Sequence, residues 1–186
     1  MDNIREKIWN EAIPDSEIIQ EIDISGFDIN LRCDDYNCPL LMGAVYHGRK
    51  DLVRYLLSDP NVNVNNHISN RFNNTALHVC KDVSVLKLLL DRKELDVNAQ
   101  NKWGWTGLHF MYYWKREACL RELLLDARIN VLIRDNCGKT VLEFALNRGR
   151  IAKIINNSRY TSLLRIPNRA LLHDVVRMII EKYVSL

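Results

Sequence analysis

Apolar positions along this chain gather into short blocks that return at a near-constant interval. Four stretches align with one another: DDYNCPLLMGAVYHGRKDLVRYLL from Asp34, NRFNNTALHVCKDVSVLKLLL from Asn70, NKWGWTGLHFMYYWKREACLRELLL from Asn101 and DNCGKTVLEFALNRGRIAKII from Asp135. Pro39, Thr75, Thr106 and Thr140 hold the same place in each and lie 36, 31 and 34 residues apart. Self-similarity at that period marks a stack of small units, none of which can bury its apolar face alone.

Each stretch predicts two helices. Thr75 and Thr106 can cap the first, because a Thr hydroxyl accepts a hydrogen bond from the free N–H groups of a first turn. The apolar positions that follow are Leu77, Val79 and Cys80 in one copy and Leu108, Phe110 and Met111 in the next. Gly48 and Gly149 mark the end of this helix, where a left-handed residue is wanted. The second helix carries leucine triplets, at 88–90 and 123–125. Between copies, SDPNVNVN, DRKELDVNAQN and DARINVLIRDN set a polar turn before alternating apolar residues, which predicts an extended, hairpin-like link.

TALH at 75–78, TGLH at 106–109, LDVNAQN at 95–101 and DNCGKTVLEFALNRG at 135–149 resemble the ankyrin repeat, with its TPLHxA signature, in several degenerate copies in register. The resemblance covers roughly residues 8–157. It implies an all-α solenoid of stacked helix-turn-helix units with hairpin-like tips and terminal capping helices. The units expected are 1–33, 34–69, 70–100, 101–134 and 135–157. The first lacks the TPLH start, but SGFDIN at 25–30 matches the closing GADVN of the family, as an atypical terminal unit would. Several departures predict less regular stacking of the third and fourth units. In the second unit Asn37 and Met42 replace a glycine and a histidine; the third lacks about three residues after Cys80; the fourth has one extra residue in its second helix and Met111 and Tyr112 in place of alanines.

Beyond the last unit, Leu171, Leu172, Val175, Val176, Ile179, Ile180 and Tyr183 follow helical spacing. Residues 158–186 are therefore expected to form a C-terminal capping helix region. Ankyrin proteins of poxviruses and some intracellular bacteria can end in an F-box-like segment, and other families in a SOCS box. Neither motif aligns here residue by residue, so an adaptor, with repeats on a client and the C-terminal helix on other machinery, stands as the alternative.

Composition adds exclusions. With 186 residues, 47% apolar and 26% charged, the chain suits one globular domain. A net charge of +3 with mixed signs argues against nucleic acid, although Arg148, Arg150, Lys153, Arg159, Arg165 and Arg169 make a basic trend late in the chain. The longest apolar run, LLMGAVY, is too short for a membrane helix, and the start MDNIREKIWNEA has no secretion signal. Five cysteines with no CxxC pair fit reduced thiols in a cytoplasmic or nuclear compartment. No nucleotide-binding, HExxH or GxSxG motif is present. His78 and His109 recur at the family's TPLH histidine, which bonds backbone between neighbouring repeats. No enzyme activity, cofactor or metal is expected.

The resemblance implies a non-catalytic protein–protein interaction module that is monomeric alone and binds another protein through its concave surface. The family's variable positions then place Trp103, Trp105, Tyr113 and Trp114 on that surface in the fourth unit. Tyr36, Tyr46 and His47 occupy matching places in the second, Arg71 and Phe72 in the third, Lys139 and Arg148 in the fifth. Tryptophan at the place of Trp103 is common in the family, where it shields a neighbouring tip. Trp105 and Trp114 are expected to stand open, because three such side chains cannot all be buried on one small unit. Exposed aromatic patches mark interfaces. Asn98 resembles the asparagine that an oxygenase hydroxylates in ankyrin repeats, with Leu90 eight residues before it, and is a modification candidate.

Overall fold

The computed structural model describes residues 2–26, 28–30, 32, 38–67, 72–141 and 143. Among them the chain forms helix-turn-helix pairs: α1 (Asp2–Trp9) with α2 (Asp15–Ser25), α3 (Leu40–His47) with α4 (Lys50–Ser58), α5 (Ala76–Val79) with α6 (Val83–Leu90), and α7 (Gly107–Tyr113) with α8 (Glu117–Leu123). The first helices stack in one layer, α1 on α3 on α5 on α7, and the second helices stack behind them in another. This is the all-α solenoid of stacked helix-turn-helix units that the resemblance implied. It starts at Asp2, ahead of the residues that carry the resemblance.

Burial explains the difference between the layers. Leu40–Val45 of α3 are all buried, because that helix is enclosed by α1, α4 and α5. In α4, Leu52, Val53, Leu56 and Leu57 are buried, while Lys50, Asp51 and Arg54 face solvent. Close approach needs glycine at Gly107, where an added Cβ would lie 3.0 Å from the Leu77 Cβ.

The interhelix turns follow the departures noted in the sequence. Gly48 ends α3 at φ 68°, a left-handed cap. The third unit lacks that residue, and α5 has only four residues before Cys80 turns to extended backbone. In the fourth unit Lys115 takes the glycine place at φ 54°.

Sequence reasoning missed a set of arginine clasps. Arg49, at the start of α4, is buried and donates to the Lys7, Ile8, Asn10 and Ile13 carbonyls and to Asp15 Oδ1. Arg116, at the same place before α8, reaches the His78 and Cys80 carbonyls at 2.9 and 2.8 Å. Each ties the free carbonyls of one unit's first helix to the next unit.

The threonine caps form as expected, the Thr106 hydroxyl accepting the His109 N–H, and they gain a second bond. At Thr75 and Thr106 the following histidine completes the cap: its Nδ1 accepts the threonine N–H, at 3.1 Å for His78 and 3.3 Å for His109. Thr140 pairs instead with Glu143, whose carboxylate takes the Thr140 N–H at 2.8 Å and its hydroxyl at 3.0 Å. The links between units are not extended strands. Among the described residues only the isolated bridges Arg32–Pro39 and His67–Thr75 occur. Side-chain amides do the joining: Asn30, Asn65 and Asn98 each donate to a carbonyl and accept an N–H of the next unit. The C-terminal helix expected at 158–186 lies outside the described residues.

Candidate partner-binding surface

The tip before α7 is built by one side chain. Asn101 Oδ1 accepts the N–H groups of Trp103 and Trp105 at 2.9 and 3.1 Å, and Gly104 turns the chain at φ 74°. Asp135 repeats this with Cys137 and Lys139, at 2.9 and 2.8 Å, around Gly138. Neighbouring tips are stitched together: Lys102 N–H donates to the Phe72 carbonyl and Asn136 N–H to the Trp103 carbonyl, both at 3.0 Å. The tryptophan backbones are therefore fixed on both sides.

On this frame the rings form an arc. Phe72 and Trp103 lie 4.9 Å apart, Trp103 and Trp105 5.6 Å, Trp105 and Tyr113 5.0 Å, and Tyr113 and Trp114 5.3 Å. The first three pairs are tilted by 47°, 57° and 47°, as flat plates must be to line a curved wall. Phe110 backs the arc, against Trp105 at 6.1 Å and Trp114 at 6.2 Å. The wall encloses a cavity of about 630 Å³ whose rim includes Asn74, Asp135, Asn136, Cys137 and Lys139.

The structure corrects the expected openness of Trp105. Trp103 and Trp114 are 43% and 58% exposed, but Trp105 is half-buried. Its ring falls back between Phe110 and Tyr113 of α7, whereas Trp103 lies over the neighbouring tip at Phe72.

Tyr46 and His47 do not join this arc. They form a second cluster with Trp9, whose ring is 6.0 Å from Tyr46 and 4.6 Å from His47. Trp9 is 46% exposed and escaped sequence reasoning, because the first unit lacks the signature that assigns positions. Phe110, named in the sequence only as an apolar position of its helix, backs the arc of rings. Lys81, with Nζ 5.0 Å from the Tyr46 ring, and Arg116, 5.5 Å from Phe110, also went unnoticed. Burial lowers the His47 pKa, helped by the charges of Lys81 and Arg49. Tyr36, Arg71 and Arg148 lie outside the described residues. Asn98 sits away from both clusters, half-buried in its inter-unit bridge.

A family model for ankyrin repeats (3 copies) matches residues 11–101. Those residues carry ankyrin repeats. Ankyrin repeats generally mediate protein–protein interaction, and the family is typically non-catalytic. The aromatic arc lies mostly beyond the matched residues, on a unit that repeats the same Thr–His and tip hydrogen bonds. Over 124 residues the chain is 28% identical to SMC5-SMC6 complex localization factor protein 1 of Bos taurus, covering 65% of this chain and 10% of that protein. It thus spans about a tenth of that relative's length. Among the described residues no helix is long and apolar enough to cross a membrane, and no cluster of His, Cys, Asp and Glu could hold a metal.

Proposed function

We propose that this ankyrin protein is a non-catalytic module that binds a partner protein on its concave face, with the cavity of the fourth unit at the centre. The observation that carries this reading is the arc of tilted rings around about 630 Å³, held by hydrogen-bonded tips. A cavity of this size and apolar character suits burial of a side chain or two from a partner. Fixed backbone around the rings means little ordering entropy is lost on binding, and tryptophan and tyrosine dominate interface energetics. Affinity capture from cell lysate with the full chain, compared with Trp114→Ala, tests it. The partner should be retained by the parent chain and lost by the variant; retention by both would place the binding surface elsewhere.

A further inference from the structure

Between the two aromatic clusters the concave face carries two cations that lack a carboxylate. Arg49, Arg54, Arg92, Arg128 and Arg134 are each paired, with Asp15, Asp51, Glu94, Asp126 and Glu143. Among the described residues neither Lys81 nor Arg116 has such a partner; each lies instead against a ring, Tyr46 and Phe110 respectively. The two are neighbours, since Arg116 donates to the carbonyl of Cys80. Arg116 is half-buried, and burial lowers its pKa with no carboxylate to oppose the effect. A partly desolvated guanidinium in that position gains from any anion brought beside it. Open aromatic surface flanks the pair on both sides, Trp9 and Tyr46 on one and Trp114 on the other, 46%, 43% and 58% exposed.

We propose that the partner contributes an acidic segment, which seats a carboxylate on Lys81 and Arg116 and apolar side chains on the Trp9–Tyr46 and Phe110–Trp114 clusters. The inference rests on the reading of the concave face as a protein-binding surface and adds the chemistry of the occupant. A basic segment fits less well. Aromatic rings do attract cations, but Tyr46 and Phe110 are already covered by the protein's own, and a second positive charge there would meet repulsion.

A random peptide library displayed on phage, selected against the full chain, tests the charge and the surface separately. Peptides enriched on the parent chain should carry Asp or Glu beside an aromatic or large aliphatic residue. Their affinity should fall as salt rises from roughly 0.05 to 0.5 M. Lys81→Glu, a change at an exposed side chain, should weaken them about tenfold or more, chiefly through slower association. Trp114→Ala should weaken every enriched peptide. Unchanged melting of both variants establishes that the fold is kept. Peptides that need Trp114 but lack acidic residues, are rich in Lys and Arg, or tolerate Lys81→Glu overturn the acidic assignment and leave the surface standing. A selection with no peptide dependent on Trp114 removes the surface and the inference with it.

Discussion

His78 Nε2 donates a hydrogen bond to the carbonyl of Trp105, 2.8 Å away. The tautomer follows from the other nitrogen. Nδ1 accepts the Thr75 N–H, so it carries no proton, and a neutral ring must carry its proton on Nε2. One buried imidazole thus closes the cap of its own helix and holds the backbone of the tryptophan that lines the cavity in the next unit. Met42 stands at the same place in the second unit and offers no such bond, so this lock begins at the third unit.

Stability should depend on pH through these rings. Burial holds His78 at about 4, although the Trp105 carbonyl opposes the shift, and burial also lowers His109. A histidine depressed in the fold favours the neutral state, so its contribution is complete above the ordinary value near 6.5. Below that the unfolded chain takes up the proton first, and stability falls until the folded pKa is reached. Urea unfolding should show a loss of up to about 1.4 kcal/mol per pH unit from His78 between those limits, with His109 adding in the same direction. His78→Gln should flatten its share of the slope, and a parent curve level across this range would contradict the burial argument.

Gly104 and Gly138 make a matched pair. Both have left-handed backbone, at φ 74° and 75°. An added Cβ at Gly138 meets nothing within 4 Å, whereas at Gly104 it would lie 2.7 Å from the Asn136 backbone nitrogen. Gly138→Ala should therefore cost only the conformational penalty, about 1 kcal/mol. Gly104→Ala should cost about 1 to 3 kcal/mol more, because the next tip must move. Equal losses in denaturant unfolding would mean the tips are not packed as described.

The repeat and its period were legible from Thr75, Thr106 and the leucine triplets, because threonine and leucine there report local geometry that every unit shares. The shortened α5 was legible too, as missing residues after Cys80. The roles of Arg49 and Arg116 were not. An arginine at a helix start reads as a solvated charge until the preceding unit's carbonyls are placed beside it. Trp9 was lost for the same reason, since only the packing of α1 on α3 brings it against Tyr46. The exposure of Trp105 was misjudged because variable register tells where a Cα sits, not which way a large ring falls.

Asn98 bridges two units with both ends of its amide, at 2.8 Å to the Arg128 carbonyl and 2.8 Å from the Asn130 N–H. Asn98→Ala leaves a donor and an acceptor without partners and should destabilise by about 1 to 3 kcal/mol. Thermal or urea unfolding measures this, and a change under about 0.5 kcal/mol would mean that water replaces the bridge. Hydroxylation of Asn98 is our separate proposal, and mass spectrometry of protein from animal cells checks it by the gain of one oxygen. Because the amide is tied to both units, an oxygenase would have to open this link, so modification should rise in variants that loosen it.

Trp105 and Trp114 should separate folding from binding. Trp114 is 58% exposed, so Trp114→Ala should change unfolding free energy by less than about 0.5 kcal/mol. Trp105 is half-buried against Phe110, Tyr113 and Trp103, so Trp105→Ala should cost more, about 1 to 3 kcal/mol, yet less than loss of a fully buried tryptophan. If the concave face binds as proposed, each substitution should also weaken the partner by roughly 30- to 1000-fold, about 2 to 4 kcal/mol. Trp114→Ala is the decisive member, because its binding loss cannot be ascribed to a damaged fold. Urea melts and titration of the captured partner, run on the same preparations, measure both quantities. Binding that survives Trp114→Ala and falls for Trp105→Ala only in proportion to lost stability would make the ring arc a packing device of the fourth unit.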